Sequence, residues 1–278
     1  MNSSVRLLVV SPHLDDAVLS CGLFLAGHSN AVVCTIFTAP PEANMTTDWD
    51  RDSGFTDAFE AMRARKSEDA RALSTLGASP IHLPFCDAQY LSSPSHAALV
   101  AALKKTFVEL EPATLLMPLG LFHSDHVMVA DACLASMRSF ENMSVLAYED
   151  VPYRKIPGIL QDRLSVLLER GFIADPADIT SVKTDARHHQ LKQTAINSYQ
   201  SQLRAFGPDA QASLDSPERY WRLLDIAGHD TARAQDDGHN ACSMPLPPLR
   251  RISTGCRAPR WSAIGPGACV RVSRVGVP

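Results

Sequence analysis

The sequence predicts an α/β fold in which a mostly parallel sheet is covered by helices. Residues 5–10 are aliphatic apart from one arginine and show neither a helical period nor polar alternation. Such a run is typical of a strand buried on both faces. An apolar segment over 17–26 follows and reads as a helix, and the same order recurs at 113–118 and 127–140. Strands that alternate with helices at these lengths imply a parallel sheet with right-handed crossovers.

The rest of the chain continues this alternation. Further strands are predicted over 31–37, 81–84 and 144–148, and further helices over 55–76, 96–110, 158–170 and 185–205. A polar loop over 39–54 interrupts the pattern, and loops of that length inside a compact domain are typically functional. Ser53 or Thr56 is the candidate cap at the start of the helix predicted over 55–76, and Gly77 follows it as a stop signal. Together the elements predict a Rossmann-like three-layer fold with its active site at the carboxyl ends of the strands.

Length and charge divide the chain into two parts. A chain of 278 residues that is 45% hydrophobic and 20% charged suits one globular domain, which we expect over 1–240. The segment 241–278 contains six arginines but no Asp, Glu or Lys, so the net charge of −4 splits into −10 and +6. A basic arm for nucleic acid or membrane is one interpretation. We favour a disordered basic extension outside the catalytic fold.

Composition also predicts the compartment. The chain starts without a basic region or a long apolar stretch, and no segment approaches the length of a membrane span, so we expect no signal peptide. The seven cysteines are odd in number, scattered and never spaced C-x-x-C. Four of them lie in apolar elements, which is typical of reduced thiols in a cytoplasmic protein.

The first chemically distinctive cluster follows the first strand. Residues 11–16 read S-P-H-L-D-D, which places His13, Asp15 and Asp16 where a strand gives way to a helix. His13 and Asp16 are three residues apart, so both can converge on one point and bind a cation such as zinc. The alternative is that Asp15 or Asp16 merely caps the helix.

A second cluster of the same kind makes the capping alternative less attractive. His123, Asp125 and His126 lie between the predicted strand over 113–118 and the helix over 127–140. Both clusters should therefore meet at one edge of the sheet. His126 can supply a third ligand and leave a position open, which is the pattern of a catalytic zinc site.

The first strand-to-helix turn argues against a nucleotide-binding protein. Its sequence is not G-x-G-x-x-G, and its two carboxylates would repel a pyrophosphate. The sequence also contains no Walker A pattern.

The two clusters resemble motifs of the PIG-L/LmbE-like zinc deacetylases. Residues 13–16 look like the family's H-x-D-D motif, and residues 123–126 look like its H-x-D-H motif. Weaker similarities lie at 65–78, 148–153 and 192–202. The resemblance implies a de-N-acetylase acting on an N-acetylglucosamine-type sugar or glycoconjugate.

The residue types themselves suggest roles. We expect one Zn²⁺ per chain bound by His13, Asp16 and His126, with Asp15 as general base. His123 would stabilise the oxyanion as imidazolium or act as general acid, and Asp125 would orient and charge His123. Iron in place of zinc stays open.

Two further residues are candidates for substrate contact. Arg65 and Glu68 form an i, i+3 pair that we expect on an exposed helix face, and only the resemblance suggests that Arg65 contacts substrate. Asp87 follows the third strand on the same sheet edge, where it could reach a substrate hydroxyl or simply form a turn.

Two other classes of function remain. A metallophosphoesterase could use the same residues, but two-metal sites generally need more ligands. A non-catalytic zinc-stabilised binding module would need a fourth protein ligand. The expected partner is a small-molecule N-acetylated sugar rather than nucleic acid or membrane, and a homo-oligomer stays open.

Overall fold

The computed structural model describes residues 6–28, 30–140, 142–178, 185–207, 211, 214 and 216–226. All of these belong to one compact unit. The extension predicted over 241–278, and the boundary at 240, lie outside the described residues. No helix in the described part of the chain is long and apolar enough to cross a membrane.

The described strands form one seven-stranded sheet in the order β3-β2-β1-β4-β5-β7-β6. β1 to β5 are mutually parallel, and β7 runs antiparallel to both of its neighbours. The predicted mostly parallel α/β sheet is therefore confirmed. The strand bounds are β1 Leu7–Ser11, β2 Val32–Ala39, β3 Ser79–Cys86, β4 Thr114–Pro118, β5 Ser144–Tyr148, β6 Phe172–Ala177 and β7 Tyr220–Asp225.

Helices cover both faces of this sheet. Side chains alternate along β1, so Leu7 and Val9 pack with α1, α3 and α7, whereas Leu8 and Val10 pack with α4, α5 and α6. This two-sided burial explains the continuous apolar run. The helix bounds are α1 Asp16–Ala26, α2 Asp48–Asp52, α3 Ala58–Thr75, α4 His96–Leu110, α5 Ser124–Met137, α6 Ile159–Glu169, α7 Ala186–Ile196 and α8 Gln200–Ala205.

Three features differ from the sequence-based expectation. The predicted loop over 39–54 contains the short helix α2, which begins at a capping box on Thr47. The helix predicted over 185–205 is two helices, because the chain breaks before the buried Tyr199, whose hydroxyl donates to Asp69. Strands β6 and β7 were not predicted. β6 is an edge strand that contains Asp175 and Pro176, and edge positions tolerate such residues.

The topology also places the crevice where ligands bind in folds of this kind. The strand order reverses between β1 and β4, and the chain leaves their carboxyl ends towards opposite faces of the sheet. In open α/β sheets, ligands bind at such a switch point. Both His/Asp clusters follow directly from these two strands.

Candidate metal centre and active site

The loops after β1 and β4 bring the two clusters together. Asp16 Oδ2 lies 3.1 Å from Nδ1 of His13 and 3.2 Å from Nε2 of His126. His13 is partly exposed, whereas Asp16 and His126 are buried. One ligand atom from each of these three residues lies within 4.8 Å of the others. This is the set that the sequence predicts for a metal ion.

Helix capping does not account for the carboxylates. The Ser11 hydroxyl accepts the free backbone N–H of Ala17 at 3.0 Å and so caps the first turn of α1. Asp15 occupies the N-cap position, but its side chain makes no capping hydrogen bond. Asp16 instead accepts the backbone N–H of His13 at 2.9 Å. The capping alternative is therefore wrong.

His126 is held in one tautomer by a carboxylate. Asp150 Oδ1 lies 2.6 Å from Nδ1 of His126, while its Oδ2 accepts the backbone N–H groups of Gly120 and Leu121 at 2.9 Å each. Since Asp150 acts as the acceptor, Nδ1 carries a proton, so Nε2, which faces Asp16, is the nitrogen that can bind a metal ion once its own proton is lost. That Nε2 is buried and finds no hydrogen-bond partner among the described residues.

His13 has a similar partner on its other nitrogen. Its Nε2 lies 3.1 Å from Oδ2 of Asp125, a fully buried carboxylate that also accepts the backbone N–H of Ala88 at 3.3 Å. Histidine ligands in proteins almost always donate their second N–H to such a group. Neighbouring ligand atoms of a tetrahedral zinc ion are roughly 3.3–3.5 Å apart. The distances from Asp16 Oδ2 to Nδ1 of His13 and to Nε2 of His126 are close to this value. The residues thus fit a divalent cation such as zinc.

The electrostatics of the cluster favour a cation. Burial disfavours the imidazolium of His126, but Asp16 and Asp150 outweigh it and raise its pKa to about 9. Burial, followed by repulsion from Asp16, raises the pKa of Asp15 to about 8. The expectation that Asp15 stays ionised therefore depends on a nearby positive charge, which lowers the pKa of a carboxyl group.

The expected contact between the Asp125 carboxylate and His123 is wrong. That carboxylate bonds to His13, and the backbone N–H of Asp125 donates to Nδ1 of His123 at 3.2 Å. Burial, then the neighbouring His13 and His126, lower the pKa of His123 below its usual value. The lowered pKa favours a neutral imidazole over the expected imidazolium, with Nδ1 as the hydrogen-bond acceptor and the proton on Nε2.

Arg65 is buried rather than exposed, so the predicted surface pair with Glu68 is wrong. Only 3% of Arg65 is exposed, and its Nη2 lies 3.0 Å from Oδ1 of Asp50 in α2. Its Nη1 donates to the Tyr90 hydroxyl at 3.2 Å. Glu68 accepts instead from the backbone and hydroxyl of Ser201. The missed helix α2 explains this difference, since it brings the buried Asp50 to Arg65.

Asp87 lies at the sheet edge as expected. Its Oδ2 is 3.7 Å from Nε2 of His13. Its carboxylate also accepts from the backbone and side chain of Gln89 at 2.9 and 2.7 Å. Asp87 is therefore a turn residue that also borders the His/Asp cluster.

The sequence predicts no role for Asp150 or Tyr153. Both lie in the segment 148–153 that carried one of the weaker similarities, and this was the signal available. The Tyr153 ring lies 5.2 Å from the His126 ring and 6.0 Å from the His123 ring, measured between centroids. Tyr153 thus forms one wall of the cluster.

The comparison with family models agrees with the resemblance of the two His/Asp motifs. Residues 8–137 match the family model described as PIG-L: GlcNAc-PI de-N-acetylase, which spans both motifs. The resemblance stated from the motifs is therefore confirmed. No curated protein sequence matches the chain.

Solved structures of deacetylases share the fold. The A40926 pseudoaglycone deacetylase Dbv21 is 25% identical with a TM-score of 0.64, and the alignment covers 81% of this chain and 99% of that one. A triple mutant of the deacetylase of teicoplanin biosynthesis is 26% identical with a TM-score of 0.65, covering 79% and 98%. The N,N'-diacetylchitobiose deacetylase from Pyrococcus horikoshii, at 19% identity, has a TM-score of 0.50 and coverages of 82% and 86%.

Proposed function

We propose that this protein is a zinc-dependent amide hydrolase that removes the acetyl group from an N-acetylglucosamine-type sugar or glycoconjugate. The observation that carries the proposal is the convergence of His13, Asp16 and His126 at the switch point of the sheet, with a buried carboxylate behind each histidine. The family match and the deacetylase neighbours support the choice of an N-acetyl amide.

One Zn²⁺ per chain, held by His13, Asp16 and His126, would supply a Lewis acid for the acetyl carbonyl and favour ionisation of the attacking water. Asp15 takes a proton from that water as general base and returns it to the leaving amine. Its pKa of about 8 in the protein alone is already far from that of an ordinary carboxyl group. A nearby cation lowers this pKa and populates the carboxylate at neutral pH.

His123 stabilises the charge that develops on the acetyl oxygen. Because its Nδ1 accepts the Asp125 backbone N–H, its Nε2–H is free to donate towards the reacting group. A neutral donor held in place before the reaction is the usual form of an oxyanion-stabilising group. Asp125 acts on His13, whose ring it orients from the side opposite Asp16.

Substrate contacts are part of the same proposal. Asp87 borders the cluster and is assigned to a sugar hydroxyl. A direct contact through Arg65 would require Asp50 to move away, since Asp50 and Tyr90 occupy its guanidinium. In the observed arrangement the charge of Arg65 offsets only a small part of the burial and of the repulsion from Asp16 that raise the pKa of Asp15.

The test is a panel of N-acetylglucosaminides offered to the purified protein with and without added Zn²⁺. We expect one metal ion per chain and release of acetate and free amine, abolished by a chelator and restored by Zn²⁺. His126→Ala should lose both metal and activity. His82→Ala is the matched control, because this histidine also pairs with a carboxylate, Asp69 at 2.8 Å, on the flank of the sheet.

Other outcomes identify the alternatives. Phosphate release from phosphomonoesters without acetate release would indicate a metallophosphoesterase. A tightly bound metal without turnover of any substrate would indicate a zinc-stabilised binding module.

A further inference from the structure

Two large apolar side chains project into solvent beside the proposed active site. Phe122 directly precedes His123 and is 60% exposed, and Leu91 is 82% exposed. Leu91 ends the turn that begins at Asp87, and Ala88 of that turn donates its N–H to Asp125. Both side chains therefore belong to loops that contact the His/Asp cluster.

The backbone directs these side chains outwards at a conformational cost. Phe122 has φ of 60° and Leu91 has φ of 59°, in the left-handed region that bulky residues rarely adopt. Tight turns hold both residues there: His123 N–H donates to the Leu121 carbonyl at 2.7 Å, and Leu91 N–H donates to the Ala88 carbonyl at 2.9 Å. Strained backbone of this kind is concentrated at functional sites.

Aromatic contacts connect Phe122 to the catalytic residues. The centroids of the Phe122 and Tyr153 rings are 5.5 Å apart, and Tyr153 in turn stacks on His123 at 6.0 Å with an interplanar angle of 24°. An apolar surface thus continues from the reacting position to the outer edge of the site. A substrate whose acetamide lies at His123 would extend along this surface.

We propose that Phe122, Tyr153 and Leu91 bind an apolar group, alkyl or aryl, that the amino-sugar substrate carries beyond its acetamide. This assignment rests on the proposed function, since the acetamide at the metal centre determines which part of the substrate reaches these side chains. Contact with an apolar group would remove Phe122 and Leu91 from water, which is favourable in proportion to the area buried. It also gives a reason for the strained backbone that holds both side chains exposed.

The test compares methyl, octyl and phenyl N-acetyl-β-glucosaminides, with the octyl compound kept below its critical micelle concentration. Wild-type protein should prefer the octyl or phenyl glycoside over the methyl one in kcat/KM, and the better of the two tells whether the natural group is alkyl or aryl. In Phe122→Asn this preference should fall about tenfold, mainly through KM, because contact with one ring is lost. Asn is chosen because it tolerates the left-handed backbone.

The matched control is Leu168→Asn, since Leu168 is also 60% exposed but lies in α6, outside the loops of the site. It should leave the preference unchanged. Leu91→Asn should lower the preference in the same direction as Phe122→Asn.

If wild type and Phe122→Asn both release acetate from all three glycosides and have the same preference among them in kcat/KM, the inference is wrong and the proposed function stands. Release from none would overturn the proposed function, and calorimetric binding of the octyl and methyl glycosides then decides the inference. Tighter octyl binding that Phe122→Asn abolishes would support it. Equal binding of the two glycosides would overturn it.

Discussion

Asp150→Asn should weaken metal binding without unfolding the protein. In the native site, Oδ1 of Asp150 bonds Nδ1 of His126, and Oδ2 accepts the backbone N–H groups of Gly120 and Leu121. An asparagine has only one side-chain acceptor. If its oxygen keeps the two backbone bonds, its amide nitrogen faces Nδ1 of His126 and forces the ring proton onto Nε2, the atom assigned to the metal.

The magnitude follows from the bond that is lost. A hydrogen bond that involves a charged group contributes about 1.5–3 kcal/mol. About 1.4 kcal/mol corresponds to a factor of ten in an equilibrium constant, so zinc affinity should fall by roughly 10–100-fold. Changes to carboxylates behind metal-ligating histidines typically have effects of about this size.

The assay is a competition titration of Zn²⁺ against a chelator, with circular dichroism as the check on folding. Asp69→Asn is the matched control, because Asp69 is also a buried carboxylate that bonds a histidine, His82 at 2.8 Å, and the Tyr199 hydroxyl at 2.9 Å. It should lower thermal stability but not zinc affinity. Native zinc affinity in a folded Asp150→Asn protein, or an equal loss in Asp69→Asn, would refute the assigned role of Asp150.

Three further predictions concern the base, the pH dependence and the buried arginine. Asp15→Asn should keep its zinc, measured by elemental analysis, but its rate should fall by about 10²–10⁴-fold. If Asp15→Asn loses the metal and Asp16→Asn keeps it, the roles of general base and metal ligand are reversed. The pKa of His126 is raised to about 9, so zinc binding near neutral pH must displace its proton. Zinc affinity should therefore rise with pH up to about 9. Calorimetry in buffers of different ionisation enthalpy measures the protons released. Arg65→Met leaves the buried Asp50 carboxylate without its positive partner and should lower the free energy of unfolding by about 3–5 kcal/mol, measured by urea denaturation.

Arg138→Met is the matched control for Arg65→Met. Arg138 bonds Asp225 at 2.8 Å, but nearly half of its side chain is exposed. Arg138→Met should therefore cost no more than about 1 kcal/mol, and a cost equal to that of Arg65→Met would show that burial of the pair is not the cause.

The amino-acid sequence by itself determined β1 to β5, most of the helices and the edge of the sheet where the candidate site lies. The apolar run of β1 and the caps of helices such as α4 are local signals, and the helix predicted over 96–110 begins and ends exactly where α4 does. The order of strands and helices then implies a parallel sheet, in which residues after β1 and after β4 share one edge. The sequence thereby predicts that His13 and Asp16 lie close to His126, although more than a hundred residues of chain separate them.

Only the tertiary structure decided which partner each side chain has. Asp125 lies two residues from His123 but bonds to His13, 112 residues away, because the start of α5 directs its carboxylate towards the loop after β1. Arg65 is buried because the unpredicted helix α2 supplies Asp50. Sequence spacing limits which residues can be neighbours along one element. Which nitrogen of a histidine faces a carboxylate, and which arginine is buried, depends on the packing of distant elements.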